Sequence, residues 1–462
     1  MRRWTRRSVI ASGLALAGCA AVGRPRLAAM YGSVSRPADQ PPLILIPGAF
    51  GSSLREKSTG REIWPVSDVR LLFGNYRELE LPIDTSTLAP NADTAEAHAV
   101  FREGLGRDFY GQVLDTLQRV GGYERCRQDR PSRDGSPCSL YVYLYDFRLD
   151  SVRAARGLAQ LIEQVRLDHG DPNLKVDIVA HSNGGLIARY FVRHGTRDLP
   201  QAGPIEPTYE GATAIRRLLL IGAPNLGTVQ PVLSLLRGEE VGLRRIPPEV
   251  IATAPGVPQM LPHPVVPWLI DPSGQRIDAD LYDIATWRRF RWSLYDPHIA
   301  ERTVETHGGG AAGRRYLDML REYLARNLRT GRRFADSFCT YPDPRDVPTW
   351  VFGGDCEPTL ARLVLESGGG RMHARERAAD IAAPVPGVDY ERLMYEPGDT
   401  VVTRSSLLGR LTLDVSVPRG PEESLRVAHT VFLCEKHQQL TGNASFRDNL
   451  LHALFSVDVI PP

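Results

Sequence analysis

The chain has 462 residues, 42% hydrophobic and 24% charged, enough to bury a large core and to carry more than one structural unit. A formal net charge of +2 gives no basic excess for a nucleic-acid partner. No C-x-x-C or H-E-x-x-H spacing occurs, so neither a metal nor a cofactor is expected.

In chain order, the N-terminus reads as a processing signal. Thr5-Arg6-Arg7-Ser8-Val9-Ile10 resembles a twin-arginine export motif, and the apolar stretch 9–17 is too short to span a bilayer. It ends in Leu16-Ala17-Gly18-Cys19, which resembles a bacterial lipobox. That resemblance implies removal of residues 1–18 and acylation of Cys19, and residues 19–40, with Pro25, Pro37 and scattered polar residues, read as a tether. The expectation is an exported lipoprotein, periplasmic or at the cell surface, held to a membrane through its lipidated N-terminus. Export implies an oxidising compartment. Of six cysteines, setting Cys19 aside leaves Cys126, Cys138, Cys339, Cys356 and Cys434. Pairing near neighbours joins Cys126 to Cys138 and Cys339 to Cys356, with Cys434 left as a buried thiol in a strand.

Residues 42–51, P-L-I-L-I-P-G-A-F-G, read as a buried strand running into a Gly-rich turn. A turn of this kind upstream of a nucleophile can supply an oxyanion donor, so the amide of Ala49 is the candidate, with Phe50 second. Residues 54–75 contain Trp64-Pro65 and Leu71-Leu72-Phe73 without clean periodicity, either a lipid-touching loop or a packed connection. Residues 109–120 have the spacing of an amphipathic helix, ended by Gly121-Gly122. A strand over 140–144 leads into Tyr145-Asp146-Phe147-Arg148, and a helix over 152–165 follows.

Residues 174–191 organise the rest. Val176, Ile178, Val179 and Ala180 form a short β-branched run; beyond Ser182, Leu186, Ile187, Tyr190 and Phe191 recur at helical spacing, with Arg189 and Arg193 on the other face. Between them, Ala180-His181-Ser182-Asn183-Gly184 is a nucleophile-elbow pattern with Ala in the first small position. Ser182 is therefore the candidate nucleophile, at a helix N-terminus that favours developing negative charge, and the Asn183 amide is the second oxyanion donor. His181 occupies the variable position, and an adjacent side chain folds back poorly onto Oγ, so it is not the base.

A strand over 215–221 ends in Gly222-Ala223-Pro224-Asn225-Leu226-Gly227. Strands alternating with helices indicate a mostly parallel sheet with helices on both faces. Residues 228–345, rich in Pro, Arg and Trp, break that rhythm and read as a cap inserted between core parts 41–227 and 346–462. His307-Gly308-Gly309-Gly310 matches an esterase oxyanion motif but follows the nucleophile instead of preceding it, so it reads as a turn. Thr430–Cys434 reads as the last strand, and the base must lie in the loop beyond it, which selects His437 over His429, at the front of that strand, and His452, in the closing helix. For the acid, spacing leaves both Asp399 and Asp355 open.

Five motifs now stand in order: P-G-A-F-G-S-S-L from 47, Y-D-F-R from 145, A-H-S-N-G-G from 180, G-A-P-N-L-G from 222 and G-D-T-V-V-T-R-S from 398. Together, over 41–460, they resemble the lecithin:cholesterol acyltransferases and their relatives, the phospholipid:diacylglycerol acyltransferases and a lysosomal phospholipase. The resemblance implies an α/β fold, specifically an α/β-hydrolase core with an inserted cap. It also implies transfer of a fatty acyl group from a glycerolipid ester, through an acyl-Ser intermediate, to an alcohol or water acceptor. It carries the nucleophile onto Ser182, the acid onto Asp399 rather than Asp355, the base onto His437 and the oxyanion donors onto Ala49 and Asn183. Three departures stand beside it: Ala180 replaces Gly, Y-D-F-R replaces Y-D-W-R, and the usual early-loop disulfide is absent. Other readings of the fold are a carboxylesterase without lipid preference and a catalytically silent surface-binding protein.

Overall fold

The computed structural model describes residues 26–31, 40–65, 72–126 and 137–456. The export motif, Cys19 and most of the expected tether lie outside them. Within 19–40, however, Leu27–Tyr31 forms a helical turn docked on the core, with the Tyr31 hydroxyl 2.8 Å from the Asp448 carboxylate.

A six-stranded sheet forms the centre. Its spatial order is His429–Leu433, Thr349–Gly354, Ile215–Ile221, Val176–His181, Leu43–Ile46, Leu140–Val142, and every neighbouring pair is parallel. Parallel strands at the centre of a sheet are buried on both faces, which is why Leu43–Ile46 is wholly apolar, while the edge strand His429–Leu433 stays exposed at His429 and Thr430. The pleat divides the central strands: Ile44, Ile46, Ile178 and Leu220 join the cluster beneath the helices Ser151–His169 and Asn183–His194. Leu43, Leu45, Val179 and Leu219 join the opposite cluster, with Val113 and Leu117 of Gly111–Arg119 and Leu450 of Ala444–Phe455. The chain starts at Leu43–Ile46, steps outward to Leu140–Val142, then returns past its start to Val176–His181. That reversal creates a crevice at the carboxyl ends of Leu43–Ile46 and Val176–His181, where open α/β sheets place their ligands.

In the stretch 54–75 the part up to Trp64 is a packed connection, whereas Phe73 is exposed. Ser52–Glu56, Glu62–Trp64 and Ala95–Val100 form an antiparallel sheet, and buried Trp64 meets the rings of Phe50, Tyr76, Phe101 and Phe147. The 228–345 insertion is mostly helical, with Pro297–Thr306 and the long Gly310–Asp336 joined through the turn that holds His307. Gly308 and Gly309 take positive φ there, while His307 stacks on Tyr316 and reaches Glu80 at 2.8 Å. The insertion is also stitched to the later excursion, because Leu269–Ile270 pairs in parallel with Leu363–Gly368.

Two expectations need correction. Cys339 does not pair with Cys356, and Cys434 is not a lone thiol; the disulfides join Cys126 to Cys138 and Cys356 to Cys434, and Cys339 is a free thiol beside His263. The reason is sheet register. Thr349–Gly354 and His429–Leu433 are adjacent, with Gly354 opposite Leu433, so the residues just beyond both ends meet. Cys339 follows the long insertion helix and is carried elsewhere. Arg189 and Arg193, on the other face of the elbow helix, are not at the surface. Both are buried, and each donates to Asp343, Arg193 at 2.6 Å and Arg189 at 3.1 Å, which fixes the elbow helix to the end of the insertion.

Candidate active site

Ser182 stands between strand and helix with φ 53° and ψ −124°, a backbone conformation that an L-residue holds only when its surroundings enforce it. The enforcement is steric. A Cβ on Gly184 would lie 2.7 Å from the Pro47 carbonyl oxygen, and one on Gly185 would lie 2.6 Å from the Ala223 Cβ. A Cβ on Gly48 would lie 2.7 Å from the Cβ of Ser182, so the turn after the first strand rests directly on the elbow. Strand, elbow and turn can approach this closely only without those side chains.

His437 opens a 3₁₀ turn after the last sheet strand. Its Nε2 is 3.0 Å from Ser182 Oγ, and its Nδ1 is 2.8 Å from Asp399 Oδ2. Asp399 is 1% exposed, and its other oxygen accepts from the amides of Val401 at 3.0 Å and Val402 at 2.7 Å. A carboxylate held this way only accepts, so Nδ1 carries the imidazole proton and Nε2 keeps a lone pair for the Ser182 hydroxyl. Asp355, the other acidic candidate, faces Arg404 at 3.4 Å and takes no part. His429 is exposed and packs on Trp350, and His452 is exposed on the closing helix.

The Ala49 amide donates to no acceptor among the described residues, and Asn183 is the first helical residue, so its amide has no partner within the helix. Both border the position of Ser182. Phe50, the second choice, has φ 62° and packs its ring on Phe147 at 4.6 Å. The elbow and the turn are also bound by a side chain: the Tyr145 hydroxyl donates to the Pro47 carbonyl at 3.0 Å and accepts from Asn183 Nδ2 at 3.3 Å. Asp146 and Arg148 form a buried two-point ion pair, closest at 2.7 Å, that shapes this loop without touching Ser182.

Sequence reasoning passed over Gly222, Tyr110 and the environment of His181. Gly222 has φ 53° and lies where a Cβ would be 3.0 Å from the His437 ring, so its lack of a side chain leaves room for the imidazole. A glycine ending the strand beside the elbow strand was the available signal. His181 is buried, which drives its pKa down to about 3, with proximity to His437 the next cause.

The arrangement can abstract the Ser182 proton, hold an imidazolium against a buried carboxylate, and offer two amides to a developing oxyanion. Comparison with known proteins bears on the fold and the family. The family model described as Lecithin:cholesterol acyltransferase matches residues 139–304, a span holding the elbow and much of the insertion. The resemblance read from the motifs is thus found independently over that span. A crystal structure of the Tle4–Tli4 complex superposes with TM-score 0.53 at 15% identity, covering 91% of this chain and 98% of that one; the fold is shared. A lipase of Bacillus licheniformis, BlEst2 in mature form, is 10% identical with TM-score 0.34 over 92% of this chain and 95% of that one. Lipase 1 from Pelosinus fermentans is 11% identical with TM-score 0.37 over 91% and 100%. These two superpose too loosely to carry an argument. A search of curated proteins finds no match. The central parallel sheet flanked by helices is that of an α/β-hydrolase.

Proposed function

We propose that this chain is a serine-dependent lipid acyl hydrolase or O-acyltransferase that acts on glycerolipid esters through an acyl-Ser182 intermediate. The observation that carries the reading is the unbroken line from Ser182 Oγ through His437 to Asp399, at 3.0 and 2.8 Å. His437 takes the Ser182 proton as Oγ bonds to the ester carbonyl carbon. The carbonyl oxygen becomes an oxyanion facing the amides of Ala49 and Asn183. Collapse breaks the ester C–O bond, and the imidazolium returns its proton to the departing alcohol. Water or an acceptor alcohol then repeats the sequence in reverse, with His437 again as base. Hydrolysis and transfer differ only in that second nucleophile. The lipid preference draws on the family resemblance over 139–304. Acylation of Cys19 would hold the enzyme at its substrate's surface; one myristoyl-length chain binds only marginally, so stable anchoring takes more than one.

The test is intact mass after a fluorophosphonate probe, on wild type and Ser182→Ala. One adduct on wild type and none on the variant is expected. A folded wild type that stays unlabelled, or a variant that labels equally, removes the proposal. Fatty-acid release from phospholipid vesicles, with and without an added long-chain alcohol, then separates hydrolysis from transfer. Equal turnover of a soluble short-chain ester and the vesicles would overturn the lipid preference.

A further inference from the structure

Behind the reacting groups runs a second set of hydrogen bonds that the steps above do not use. The Gly48 amide donates to the Tyr110 hydroxyl oxygen at 2.8 Å. That oxygen is 2.7 Å from His181 Nδ1, and His181 Nε2 is 3.2 Å from the carbonyl oxygen of His437. The His437 amide in turn donates to the Asp399 carbonyl at 2.7 Å. Both side chains are buried, Tyr110 3% and His181 6% exposed.

The proton positions follow from the partners. A carbonyl only accepts, so His181 Nε2 bears the hydrogen and the neutral ring offers a lone pair at Nδ1. Tyr110 donates its single hydroxyl hydrogen there and accepts the Gly48 N–H on its lone pair. Each donor has one acceptor, and the chain is complete without water. Burial holds His181 neutral, with its pKa near 3, and pushes the Tyr110 phenol up, so no link changes charge between pH 5 and 9.

The two ends decide what the chain does. One end is the peptide next to Ala49, the candidate oxyanion donor. The other is the peptide of the base itself. The packing agrees: a Cβ on Gly48 would lie 3.3 Å from His181 Nδ1, one on Gly51 would lie 2.9 Å from the Tyr110 ring, and the His181 and His437 rings are 4.9 Å apart. Oxyanion donors act only within a few tenths of an ångström of the developing charge, and a displacement near 1 Å costs about 100-fold.

We propose that Tyr110 and His181 are positioning residues, a neutral relay that fixes the Ala49 turn and His437 relative to each other across Ser182. The inference rests on the function proposed for Ser182. A polar pair that merely satisfied buried atoms would contribute to stability and leave turnover of the folded enzyme unchanged.

Three substitutions separate the links. Tyr110→Phe removes both of the hydroxyl's bonds. His181→Gln keeps an N–H donor where Nε2 stood and removes the acceptor to Tyr110. His181→Asn keeps an acceptor near Nδ1 and removes the donor to His437. Kinetics are taken with a chromogenic ester at least 20 °C below each variant's melting temperature. For Tyr110→Phe and His181→Gln, kcat is expected to fall about 10–100-fold, below the 10²–10³ of losing an oxyanion donor outright, with KM little changed. The double variant Tyr110→Phe/His181→Gln should lose no more than the worse single one, because both cut the same link. His181→Asn should likewise lower kcat, and combined with Tyr110→Phe should lose little more than the worse single variant, because both interrupt the same relay. Near-wild-type kcat in both Tyr110→Phe and His181→Gln, or multiplicative losses in their double variant, would overturn the relay. Imidazole ¹⁵N shifts of the wild type test it without substitution: His181 must show an unprotonated Nδ1 from pH 5 to 9, and a protonated one refutes the assignment. Probe labelling of wild type at Ser182, run alongside, separates failure of the relay from failure of the function it serves.

Discussion

Replacing Asp399 by Asn is the sharpest test of the proposed chemistry, because the structure dictates which way the amide must face. Oδ1 of Asp399 accepts from two backbone amides, those of Val401 and Val402. An Asn NH₂ group cannot sit against two donors, so its oxygen takes that place and its nitrogen turns to His437. At the 2.8 Å now separating Asp399 from Nδ1, the NH₂ donates, and Nδ1 must present its lone pair. The imidazole proton moves to Nε2, which faces Ser182 Oγ and can no longer accept its hydrogen. The base is present, correctly placed and in the wrong tautomer. The analogous change in a serine protease lowers kcat about 10⁴-fold, or about 5.4 kcal/mol of transition-state stabilisation. We expect a loss of that order here, in kcat and with KM near wild type, since Asp399 is buried away from substrate. The assay is turnover of a chromogenic ester at pH 8, with circular dichroism to verify the fold of this isosteric variant. A loss below tenfold would refute the assignment of Asp399 as the orienting acid.

Two further outcomes follow from burial and covalent topology. Opening the Cys356–Cys434 disulfide, which closes 78 residues, is expected to cost about 4.5 kcal/mol on chain-entropy grounds, against about 3 for Cys126–Cys138, which closes 12. Urea unfolding of Cys356→Ser and Cys126→Ser should therefore rank them in that order, and the reverse order would contradict it. Acid should also destabilise the fold. His181, His194 and His263 are buried with pKa values lowered to about 3, 4 and 4, desolvation being the first cause in each. The unfolded chain takes up these protons near pH 6.5 and the folded chain does not. The full contribution is present above pH 6.5 and is lost as pH falls toward 4, by up to about 1.4 kcal/mol per pH unit for each histidine. Unfolding free energy measured from pH 7 to 5 should fall with that slope, and His263→Gln should shed about one proton of it. A flat profile would show that these rings are charged in the folded protein.

Much of this architecture was legible because local signals and the global fold agree. The runs at 43–46, 176–181 and 215–221, apolar but for Asp177, His181, Arg216 and Arg217, are short, β-branched or leucine-rich and suit the strands of a buried parallel sheet. The elbow announces itself through small residues whose removal of side chains is a steric need. What stayed illegible depends on juxtaposition. The partner of Cys356 is set by the register of two strands whose sequence positions lie far apart, while Cys339 only looked close. Spacing alone left Asp355 level with Asp399. They separate once it is seen that Arg404 takes the first, whereas the turn after Tyr395–Gly398 delivers the second to His437. Tyr110 carries no motif at all. It caps a helix 62 residues from Gly48 and reaches the site only because that helix packs beneath the first strand's turn.

Ala180, the departure at the front of the elbow, shows how far a motif can bend before its geometry does. The two small positions of the pattern are not equivalent here. Gly184 stands where a side chain would strike the backbone oxygens of Ile46 and Pro47 at 2.8 and 2.7 Å, and backbone in a parallel sheet cannot retreat. A larger residue there would displace the first strand together with the Ala49 turn. Ala180 is itself part of the elbow strand, fully buried and in register between Ile46 and Leu220, with its methyl group in the helix-side cluster. A methyl is accommodated in that cluster, and Ser182 still reaches its positive φ with Nε2 of His437 at 3.0 Å. The constraint that makes the serine protrude therefore lies after it, where the helix must pass under the Pro47–Ala49 turn. Before it, the strand asks only for a side chain small enough for the core.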